Sequence, residues 1–493
     1  MQIRLEIDMT KKQTILEALR ACGITSVPTP CGGRGRCGKC SVHVEGQERD
    51  VLACTTEAKE GMVITLPDEE GTQQIAEDSN CVHYASDGTQ TLAAACDIGT
   101  TTVVCHLVDG KTGRILATAS EANAQKSYGA DVISRIQAAQ EGSLEELRKL
   151  ITEQLSGMLH KLLQEAGAGE IHRLAVAGNA VMCHLLTGIS PENIGKPPFL
   201  PKEYFGKIFP GNAIGIKECR EIYVAPSVAG YVGGDITADL LAVTPGHEEE
   251  ETLLLDIGTN GEMALGKKGD YVCLAAAAGP AFEGAQIVMG MPAKEGAISH
   301  VYLDQRRIRV QVIGEGKATG ICGSGLLDAL SVFLQLGLIE KDGRIREKNE
   351  VSVACRKYLG DYRNEACIYL TEEVCVTQED IRNLQLAKAA IAAGIEILFR
   401  ERKITWQQVD RLVLAGGFGS YLKPKSAAAI GLIPGELLPV TVSVGNATGA
   451  GAVSAAVSHE ARQHLAEIQK GMRYLELSSH PDFQELYVYH INF

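Results

Sequence analysis

Cys31, Cys37, Cys40 and Cys54 are spaced in a way that suits a metal centre. They follow the pattern C-x5-C-x2-C-x13-C, and four thiolates can bind either a tetrahedral zinc ion or an iron–sulfur cluster. The stretch CGGRGRCGKC is rich in glycine, which lets the backbone wrap closely and direct N–H groups at sulfur. A zinc knuckle needs two close cysteine pairs, and only Cys37 and Cys40 form one. The pattern favours a cluster, with zinc and a glycine turn carrying incidental thiols as the alternatives.

Two similar motifs are typical of hairpins that bind phosphate. The stretch CDIGTTTV contains Asp97, and LDIGTNGEM contains Asp256, 159 residues later. Each places an aspartate at the end of an apolar strand, so the following turn can offer donors to phosphate while the carboxylate holds Mg²⁺ through water. One such motif is weak evidence, but two copies predict a pair of hairpins that clamp one polyphosphate. The candidate phosphate contacts are Gly99, Thr100, Thr101, Thr102, Gly258, Thr259, Asn260 and Gly261.

A third glycine-rich element follows an apolar strand in RLVLAGGFGSYL. Gly416, Gly417 and Gly419 allow a close backbone approach that could seat an adenine and a ribose. Alone, this pattern favours a strand followed by a glycine helix cap, whereas after two phosphate hairpins it favours nucleotide binding. Two acids beside glycine turns, Asp235 in GGD and Glu283 in FEG, are candidate bases for an attacking water, with a capping or turn role as the alternative.

The elements that must position these residues divide the chain. Residues 1–67 combine short alternating runs with the amphipathic stretch TKKQTILEALRAC, which predicts a small α+β domain with a sheet packed on a helix. Residues 68–92 are acidic and contain no Lys or Arg, which predicts a linker. From residue 93 onward, apolar strands alternate with glycine turns and long helices, as in an α/β fold. The repeated aspartate motif divides this part into halves, 93–250 and 251–493.

Three further stretches predict helices rather than chemistry. TQED, from Thr377, is a capping box that opens a long helix, and Lys388 on that helix is expected on a solvated face. AVAGNAVMCHLL, from Ala175, and VGNATGAGAV, from Val444, are expected as connecting helices.

Composition argues against several classes of protein. The formal net charge of −14 argues against a nucleic-acid-binding protein, whose contact face is basic. The N-terminus lacks the apolar core of a signal peptide, and no run of about 18 apolar residues occurs. The sequence therefore predicts a cytoplasmic protein with no membrane contact. In that reducing compartment the 15 cysteines are not expected to form disulfides, and those outside the cluster motif are expected as buried apolar residues.

The motifs resemble two known families. The first 67 residues resemble a 2Fe-2S ferredoxin domain with a β-grasp-like fold, in which three ligands lie on one loop and the fourth follows, here in VLACTT. The gap of five residues and the short interval before Cys54 differ from plant-type ferredoxins and resemble short modules fused to redox activators. The hairpins and the later glycine loop, in that order, resemble the superfamily of acetate and sugar kinases, heat-shock chaperone ATPases and actin. This likeness implies a duplicated two-lobe, actin-like ATPase domain that binds ATP and Mg²⁺.

A ferredoxin module followed by such an ATPase is similar to the reductive activators of corrinoid proteins. The stretches GYVGGDITADLLA, GPAFEGAQIVMGM, GICGSGLLDAL and YLELSSHPDFQELY also carry this likeness. It implies ATP-dependent transfer of one electron from a 2Fe-2S cluster to Co(II) of the corrinoid protein of a methyltransferase system. It also implies an electron donor (a ferredoxin, flavodoxin or flavoprotein) and a homodimer. Some members carry a further domain where this chain has only the acidic linker.

The sequence leaves other functions open. The protein could instead supply low-potential electrons to a dehydratase or an aromatic-ring reductase, although such activators lack an N-terminal ferredoxin. It could be a small-molecule kinase with the cluster as a redox sensor, but no sugar or acetate pocket is evident. A chaperone that uses ATP to release a cofactor protein is the third alternative.

Overall fold

The described residues of the computed structural model divide into two units, each built on its own sheets. The described residues are 2–5, 12–22, 24, 27, 29, 32–35, 38–47, 49–66, 81, 83–284, 286–419 and 421–493. The first unit comprises the described residues up to Gly71, Ala85–Gly234 and Ala452–His459. The second comprises Asp235–Gly451, Glu460–Phe493 and the described residues among 72–84.

The N-terminal part of the first unit is a small antiparallel sheet packed on one helix, as predicted. Its elements are β1 (Gln2–Arg4), α1 (Ile15–Ala21), β2 (Ser41–Val44), β3 (Val51–Leu52) and β4 (Val63–Thr65), with strand order β1-β4-β2-β3. Thr14 and Glu17 form a capping box at the start of α1, which satisfies N–H groups that a helix start leaves unpaired. Ile15 and Leu19 of α1 are fully buried in the core of this part of the unit.

The rest of the first unit is built on a mixed sheet. Its strands are β5 (Leu92–Ile98), β6 (Thr102–Asp109), β7 (Ile115–Ala122), β8 (Ile171–Gly178), β9 (Lys207–Pro210) and β10 (Cys219–Val224). Its helices are α2 (Val132–Ala138), α3 (Leu144–Glu165), α4 (Ala180–Thr187) and α5 (Gly211–Ile214). The strand order is β7-β6-β5-β8-β10-β9, and β8 pairs in parallel with both β5 and β10. The apolar strands β5 and β8 therefore lie at the centre of the sheet, where both faces are covered.

The second unit has a larger sheet and two small ones. Its strands are β11 (Thr252–Ile257), β12 (Gly261–Lys267), β13 (Asp270–Ala276), β14 (Ala297–Asp304), β15 (Arg307–Val312), β16 (Gly320–Ile321), β17 (Leu359–Tyr362), β18 (Glu365–Tyr369), β19 (Cys375–Thr377), β20 (Arg411–Ala415), β21 (Thr441–Ser443) and β22 (Met472–Tyr474). Its helices are α6 (Gly234–Val243, which begins at the unit boundary), α7 (Gly323–Leu336), α8 (Gln378–Arg402), α9 (Gly416–Gly419), α10 (Pro424–Ala429), α11 (Ala447–Val457, which ends in the first unit), α12 (His459–Gly471) and α13 (Phe483–Tyr489). Among the helices of the described residues, none is both long and apolar enough to cross a bilayer.

The two large sheets share one topology. In the first unit the strand order is β7-β6-β5-β8-β10. The pairs β7–β6 and β6–β5 are antiparallel, and the pairs β5–β8 and β8–β10 are parallel. In the second unit β13-β12-β11-β20-β21 has the same order and the same directions. The hairpin turns after β5 and β11 are therefore equivalent, which is the duplication that the repeated aspartate motif predicts.

One pair of cysteines differs from the sequence expectation. Cys96 on β5 and Cys105 on β6 are directly opposite in the antiparallel register, with a Cα–Cα distance of 4.4 Å, and form a disulfide. Opposite residues of non-hydrogen-bonded pairs approach this closely in antiparallel sheets. The expectation that no cysteine is paired is wrong here, because register brings together thiols whose spacing carries no signal. Cys183 and Cys273 are buried and form no disulfide, as expected.

The segment predicted as the acidic linker is only partly described. Residues 68–80 and 82 lie outside the described residues. Within the second unit, Tyr84 Oη and His464 Nδ1 are 2.6 Å apart. Within the first unit, Ser86 Oγ donates to the Gly110 carbonyl at 2.6 Å. The described end of the predicted linker is therefore packed on its neighbours.

Helix α8 begins at the capping box predicted from TQED. Thr377 Oγ1 accepts from the Asp380 N–H at 3.2 Å, and Asp380 Oδ2 accepts from the Thr377 N–H at 2.9 Å. The expectation that Lys388 lies on a solvated face is wrong, because the C-terminal residues cover it. Its side chain is 1% exposed, and Nζ donates to the Asn492 carbonyl at 2.5 Å. Burial lowers the pKa of Lys388 to about 8.

This burial predicts that stability depends on pH. The unfolded chain keeps the Lys388 proton up to its ordinary pKa of 10.5, whereas the folded chain releases it near 8, so the free energy of unfolding increases as pH rises between these values. The full gain is on the order of 3 kcal/mol, at about 1.4 kcal/mol per pKa unit. We expect Lys388→Met to lose this rise in urea titrations at several pH values, while a control at the exposed Lys425, Lys425→Met, keeps it. A wild-type slope in Lys388→Met would contradict the prediction.

Candidate functional site

Two of the four predicted cluster ligands converge in the N-terminal sheet. Cys40 directly precedes β2 and Cys54 follows β3. The β2–β3 pairing places them side by side, with the Ala53 N–H donating to the Cys40 carbonyl at 2.9 Å. Their sulfur atoms are 3.2 Å apart, both residues are buried, and both thiols are free of disulfides. The other two predicted ligands, Cys31 and Cys37, lie outside the described residues.

The loop that leads to these thiols depends on glycine. Gly33 and Gly35 have φ values of +83° and +70°, which disfavour any side chain. A Cβ on Gly33 would lie 3.7 Å from Cys54 Cβ, and one on Gly35 would lie 2.8 Å from Thr55 Cγ2. The loop therefore lies directly against the turn that carries Cys54. Two buried thiols that form no disulfide and lie beside a closely wrapped loop fit the donor set of an iron–sulfur cluster.

The first predicted phosphate hairpin is the turn between β5 and β6. Asp97 is a partly exposed residue near the end of the otherwise buried strand β5. Asn123 Nδ2 donates to the Gly99 carbonyl at 2.8 Å, and Asn179 Nδ2 donates to Thr100 Oγ1 at 3.0 Å. Arg135 Nη2 donates to the Thr100 carbonyl at 2.5 Å. Three side chains from two other parts of the chain, residues 123–135 and Asn179, thus hold the shape of this turn.

Sequence reasoning missed these three supporting side chains. Asn179 follows β8, whose parallel register places Gly178 beside Ile98 at the end of β5, and its Oδ1 accepts from the Met182 N–H at the start of α4. An Asn after an apolar strand and before an apolar helix is a readable cap signal. Asn123 and Arg135 carry no comparable signal, since their role depends on how residues 123–135 fold back onto the hairpin.

The second predicted hairpin, between β11 and β12, also binds a predicted acid. The Gly258 N–H donates to the Asn260 carbonyl at 2.9 Å, which closes the turn. Thr259 Oγ1 donates to Glu283 Oε1 at 2.7 Å, and Glu283 ends a short 3₁₀ helix, Pro280–Glu283. The structure therefore brings Glu283 to the hairpin, where it fixes the threonine hydroxyl that was predicted to contact phosphate.

Carboxylates cluster behind this second hairpin. Asp256 on β11 and Glu262 on β12 are directly opposite, Asp239 hydrogen-bonds to Asp256, and the charge of Asp235 acts on both Asp256 and Glu262. Burial and then the charge of Asp235 raise the pKa of Asp256 to about 7. Burial and then the charges of Asp235 and Asp256 raise the pKa of Glu262 well above its ordinary value. A bound cation would lower these pKa values, because it would offset the mutual repulsion.

Two members of this cluster were missed by sequence reasoning. Asp239 lies one helical turn after Asp235 on α6, a spacing that places both on one face. Its Oδ1 accepts from Thr448 Oγ1, on α11, at 2.8 Å. Glu262 follows the hairpin glycine directly and is buried. Among the described side chains, no group of three or more His, Cys, Asp or Glu is arranged to hold a metal ion directly.

The predicted adenosine loop lies beside Asp256. Strand β20 pairs in parallel with β11, so that Ala415 is beside Asp256. Gly416 follows with φ +85°, and a Cβ there would overlap Asp256 Oδ1. Gly417 faces open space, and Gly419 is buried at the end of α9. The loop and the second hairpin therefore form one continuous edge of the sheet.

This contact makes Gly416 specifically intolerant of substitution. We expect Gly416→Ala to lower the free energy of unfolding by more than about 1 kcal/mol, because the residue has positive φ and Asp256 must move. Gly417→Ala is the matched control, since a Cβ there meets nothing within 4 Å, and we expect its melting temperature to equal the wild-type value. Equal melting temperatures for both variants would contradict the geometry.

Comparisons with known proteins cover almost the whole chain. A model of a 2Fe-2S iron–sulfur cluster binding domain matches residues 6–69. The model of the RACo middle region matches 92–245, and that of the C-terminal RACo domain, the ASKHA domain, matches 250–493. The segment predicted as the first ATPase lobe thus corresponds to the middle region of that family.

Relatives and a solved structure agree with these matches. The corrinoid activation enzyme RamQ of Eubacterium limosum is 29% identical over 98% of this chain and 96% of its own length. A [Co(II) methylated amine-specific corrinoid protein] reductase of Methanosarcina barkeri is 26% identical over 65% of this chain and 62% of its own. A solved reductive activator for corrinoid, iron-sulfur protein is 30% identical and matches with a TM-score of 0.73 over 99% of this chain and 96% of that chain. The chain belongs to the RACo-type family of corrinoid activators, with an N-terminal ferredoxin domain and a C-terminal ASKHA ATPase domain.

Proposed function

We propose that this protein activates a corrinoid protein reductively. With Mg²⁺ and ATP bound, it passes one electron to Co(II) and restores Co(I), the nucleophile for methyl transfer. The observation that carries this proposal is the presence, in one chain, of converging buried thiols at Cys40 and Cys54 and of duplicated phosphate hairpins. The names of the relatives, a corrinoid activation enzyme and a corrinoid protein reductase, support the same substrate.

Each half of the activity is assigned to its own residues. Cys31, Cys37, Cys40 and Cys54 would hold the 2Fe-2S cluster, which when bound supplies a one-electron redox couple. The described ligand candidates, Cys40 and Cys54, are buried, which limits the access of water to them. Gly33 and Gly35 keep bulky side chains away from Cys54 and the turn that carries it.

The hairpins would bind the nucleotide phosphates through backbone N–H groups and hydroxyls. Asp97 and Asp256 would hold Mg²⁺ through water. Asp256 has the stronger physical support, because burial and then the charge of Asp235 raise its pKa, and a cation would relieve the repulsion between the two carboxylates. Glu283 accepts a hydrogen bond from the Thr259 hydroxyl, and we assign it a positioning role rather than that of a base. Asp235 acts on Asp256 by its charge, since both lie in the same carboxylate cluster.

This activity needs ATP only if nucleotide binding lowers the unfavourable free energy of the electron transfer to Co(II). An unfavourable one-electron step costs a factor of ten per ~59 mV, or roughly 1.4 kcal/mol. Binding of ATP can offset such a gap only if the protein with nucleotide binds one state of the corrinoid protein better than another. We further propose a cytoplasmic homodimer that a ferredoxin, flavodoxin or flavoprotein re-reduces; the family resemblance supports this.

The test is direct observation of Co(I). The reduced, cluster-loaded protein is mixed anaerobically with a Co(II)-loaded corrinoid protein from the same genome, with and without Mg-ATP, and Co(I) is followed by its absorbance. Co(I) that forms only with Mg-ATP supports the proposal. A protein with an assembled cluster and bound nucleotide that gives no Co(I) with any corrinoid partner would refute it.

A further inference from the structure

Residues 123–135, called here the coupling segment, contact the first phosphate hairpin from one side. The Asn123 N–H donates to the Thr101 carbonyl at 2.8 Å, and Asn123 Nδ2 donates to the Gly99 carbonyl at 2.8 Å. Arg135 is fully buried and donates to the Thr100 carbonyl at 2.5 Å. All three carbonyl groups of the turn, from 99 to 101, are therefore bound by the two ends of this segment.

The middle of the same segment contacts the ferredoxin domain. Thr29 Oγ1 donates to the Ser127 carbonyl at 2.6 Å, and the Arg20 guanidinium donates to the same oxygen. Arg20 also lies over the Tyr128 ring, 4.5 Å from its centre. A Cβ on Gly32, the residue after Cys31, would lie 3.6 Å from Ser134 Cβ. The edge of the ferredoxin domain that carries the cluster loop is thus held against the coupling segment.

Arg135 connects these two contacts. Besides Thr100, its guanidinium donates to the Gly129 carbonyl at 3.1 Å and to Gln125 Oε1 at 3.3 Å. Gly129 and Gln125 flank the Ser127–Tyr128 pair that the ferredoxin domain contacts. Since the hydrogen bonds come from one planar and rigid group, movement of Thr100 must change the position of residues 125–129.

The contact between the ferredoxin domain and the coupling segment has the features of a reversible one. The apolar core of the ferredoxin domain and that of the β5–β10 sheet are separate clusters. A cavity of about 230 Å³, lined among others by Arg20, Arg34, Tyr128 and Glu141, lies at this contact. Polar contacts around a cavity, without a shared apolar core, can open at a modest cost.

We propose that Arg135 is a positioning residue that couples nucleotide at the first hairpin to release of the ferredoxin domain from the coupling segment. The inference rests on the proposed binding of nucleotide phosphate to residues 99–102. Without nucleotide, Arg20 and Thr29 hold the cluster-loop edge against Ser134, where a large partner cannot reach that edge. Phosphate contacts shift Thr100, Arg135 transmits the shift to residues 125–129, and the carbonyl that Arg20 and Thr29 share moves.

The coupling between nucleotide binding and docking of the ferredoxin domain is reciprocal, so a change at the docking contact can be measured as a change in nucleotide affinity. If nucleotide weakens docking by some factor, loss of docking must strengthen nucleotide binding by the same factor, and couplings of about 5- to 150-fold are typical. Arg20 contacts the coupling segment but not the hairpin. We therefore expect Arg20→Ala to lower the Kd of a fluorescent ATP analogue about fivefold. A merely structural role of Arg20 would leave this Kd unchanged.

The experiment uses the full-length, cluster-loaded protein. The Kd of the analogue is measured with Mg²⁺, and hydrogen exchange of α1 and of residues 124–129 is measured with and without a non-hydrolysable ATP analogue. The variants are Arg20→Ala and Arg135→Lys, which keeps the charge but loses the planar fork. Arg148→Lys is the matched control, because Arg148 donates to the Ala213 carbonyl at 2.9 Å in the same unit.

The expected results separate this inference from the proposed function. Nucleotide speeds exchange about fivefold or more at residues 124–129 and α1 in wild type and in Arg148→Lys, and has no such effect in Arg135→Lys at a nucleotide concentration that saturates this variant. An unchanged or raised Kd in Arg20→Ala would overturn the inference, as would nucleotide binding to wild type without faster exchange. A wild-type protein that binds no nucleotide would overturn the proposed function itself. The Arg20→Ala measurement decides the matter if Arg135→Lys does not fold, because Arg20 is only half-buried.

Discussion

Replacing Cys40 or Cys54 with serine is expected to abolish the visible absorbance of the cluster and the formation of Co(I), while nucleotide binding persists. The two sulfur atoms are 3.2 Å apart and buried, and a serine oxygen is a poor substitute for thiolate at iron. Loss of a ligand removes the one-electron couple, so we expect at least about a hundredfold slower Co(I) formation, or roughly 2.7 kcal/mol of barrier. Nucleotide binding is expected to persist because the phosphate hairpins belong to other sheets than the N-terminal sheet beside Cys40 and Cys54.

The control for this prediction is another thiol of the same domain. Cys22 is exposed at the end of α1 and lies outside the ligand pattern. Cys22→Ser should keep the wild-type absorbance spectrum and iron content. A Cys40→Ser or Cys54→Ser protein with a full complement of iron and the wild-type spectrum would show that these thiols are not ligands. Zinc in place of iron in the purified wild type would favour the alternative that the spacing leaves open.

Asp256→Asn is expected to have the largest effect on ATP hydrolysis. The carboxylate lies next to the second hairpin and has a pKa of about 7 because of burial and the charge of Asp235. If Asp256 holds Mg²⁺ through water, a neutral amide removes most of that interaction, and metal ions contribute several kcal/mol to phosphoryl chemistry. We expect hydrolysis to fall at least about a hundredfold, with a weaker dependence on the Mg²⁺ concentration.

Stability distinguishes this effect from damage to the fold. The neutral side chain removes a repulsive charge from a cluster with Asp235 and Glu262, so the melting temperature should stay equal or rise. Asp304→Asn is the control, because Asp304 is exposed and paired only weakly with Arg309, at 3.6 Å. If Asp256→Asn loses hydrolysis and also melts at a lower temperature than wild type, the loss of hydrolysis is explained by unfolding. Wild-type hydrolysis in Asp256→Asn would rule out the magnesium role.

Short sequence patterns predicted the individual domains and several of their secondary-structure elements. The cysteine spacing and its glycines indicated a cluster domain, the alternating runs around one amphipathic stretch indicated a small sheet on a helix, and TQED indicated the start of α8. The repeat of Asp97 and Asp256 indicated a duplicated sheet, and the order β7-β6-β5-β8-β10 recurs as β13-β12-β11-β20-β21. These features depend on residues close together in the chain, whose conformations are set by local hydrogen bonding and by the period of apolar residues.

Long-range register and packing decided the remainder. Whether Cys96 meets Cys105, whether Glu262 faces Asp256 and whether Gly416 lies against Asp256 all depend on how strands pair. The burial of Lys388 depends on a C-terminal segment more than 100 residues away. Arg135 reaches Thr100 only because residues 123–135 fold back onto the hairpin. Such contacts leave no spacing pattern, since they arise from the free energy of packing whole elements together rather than from the preferences of any one segment.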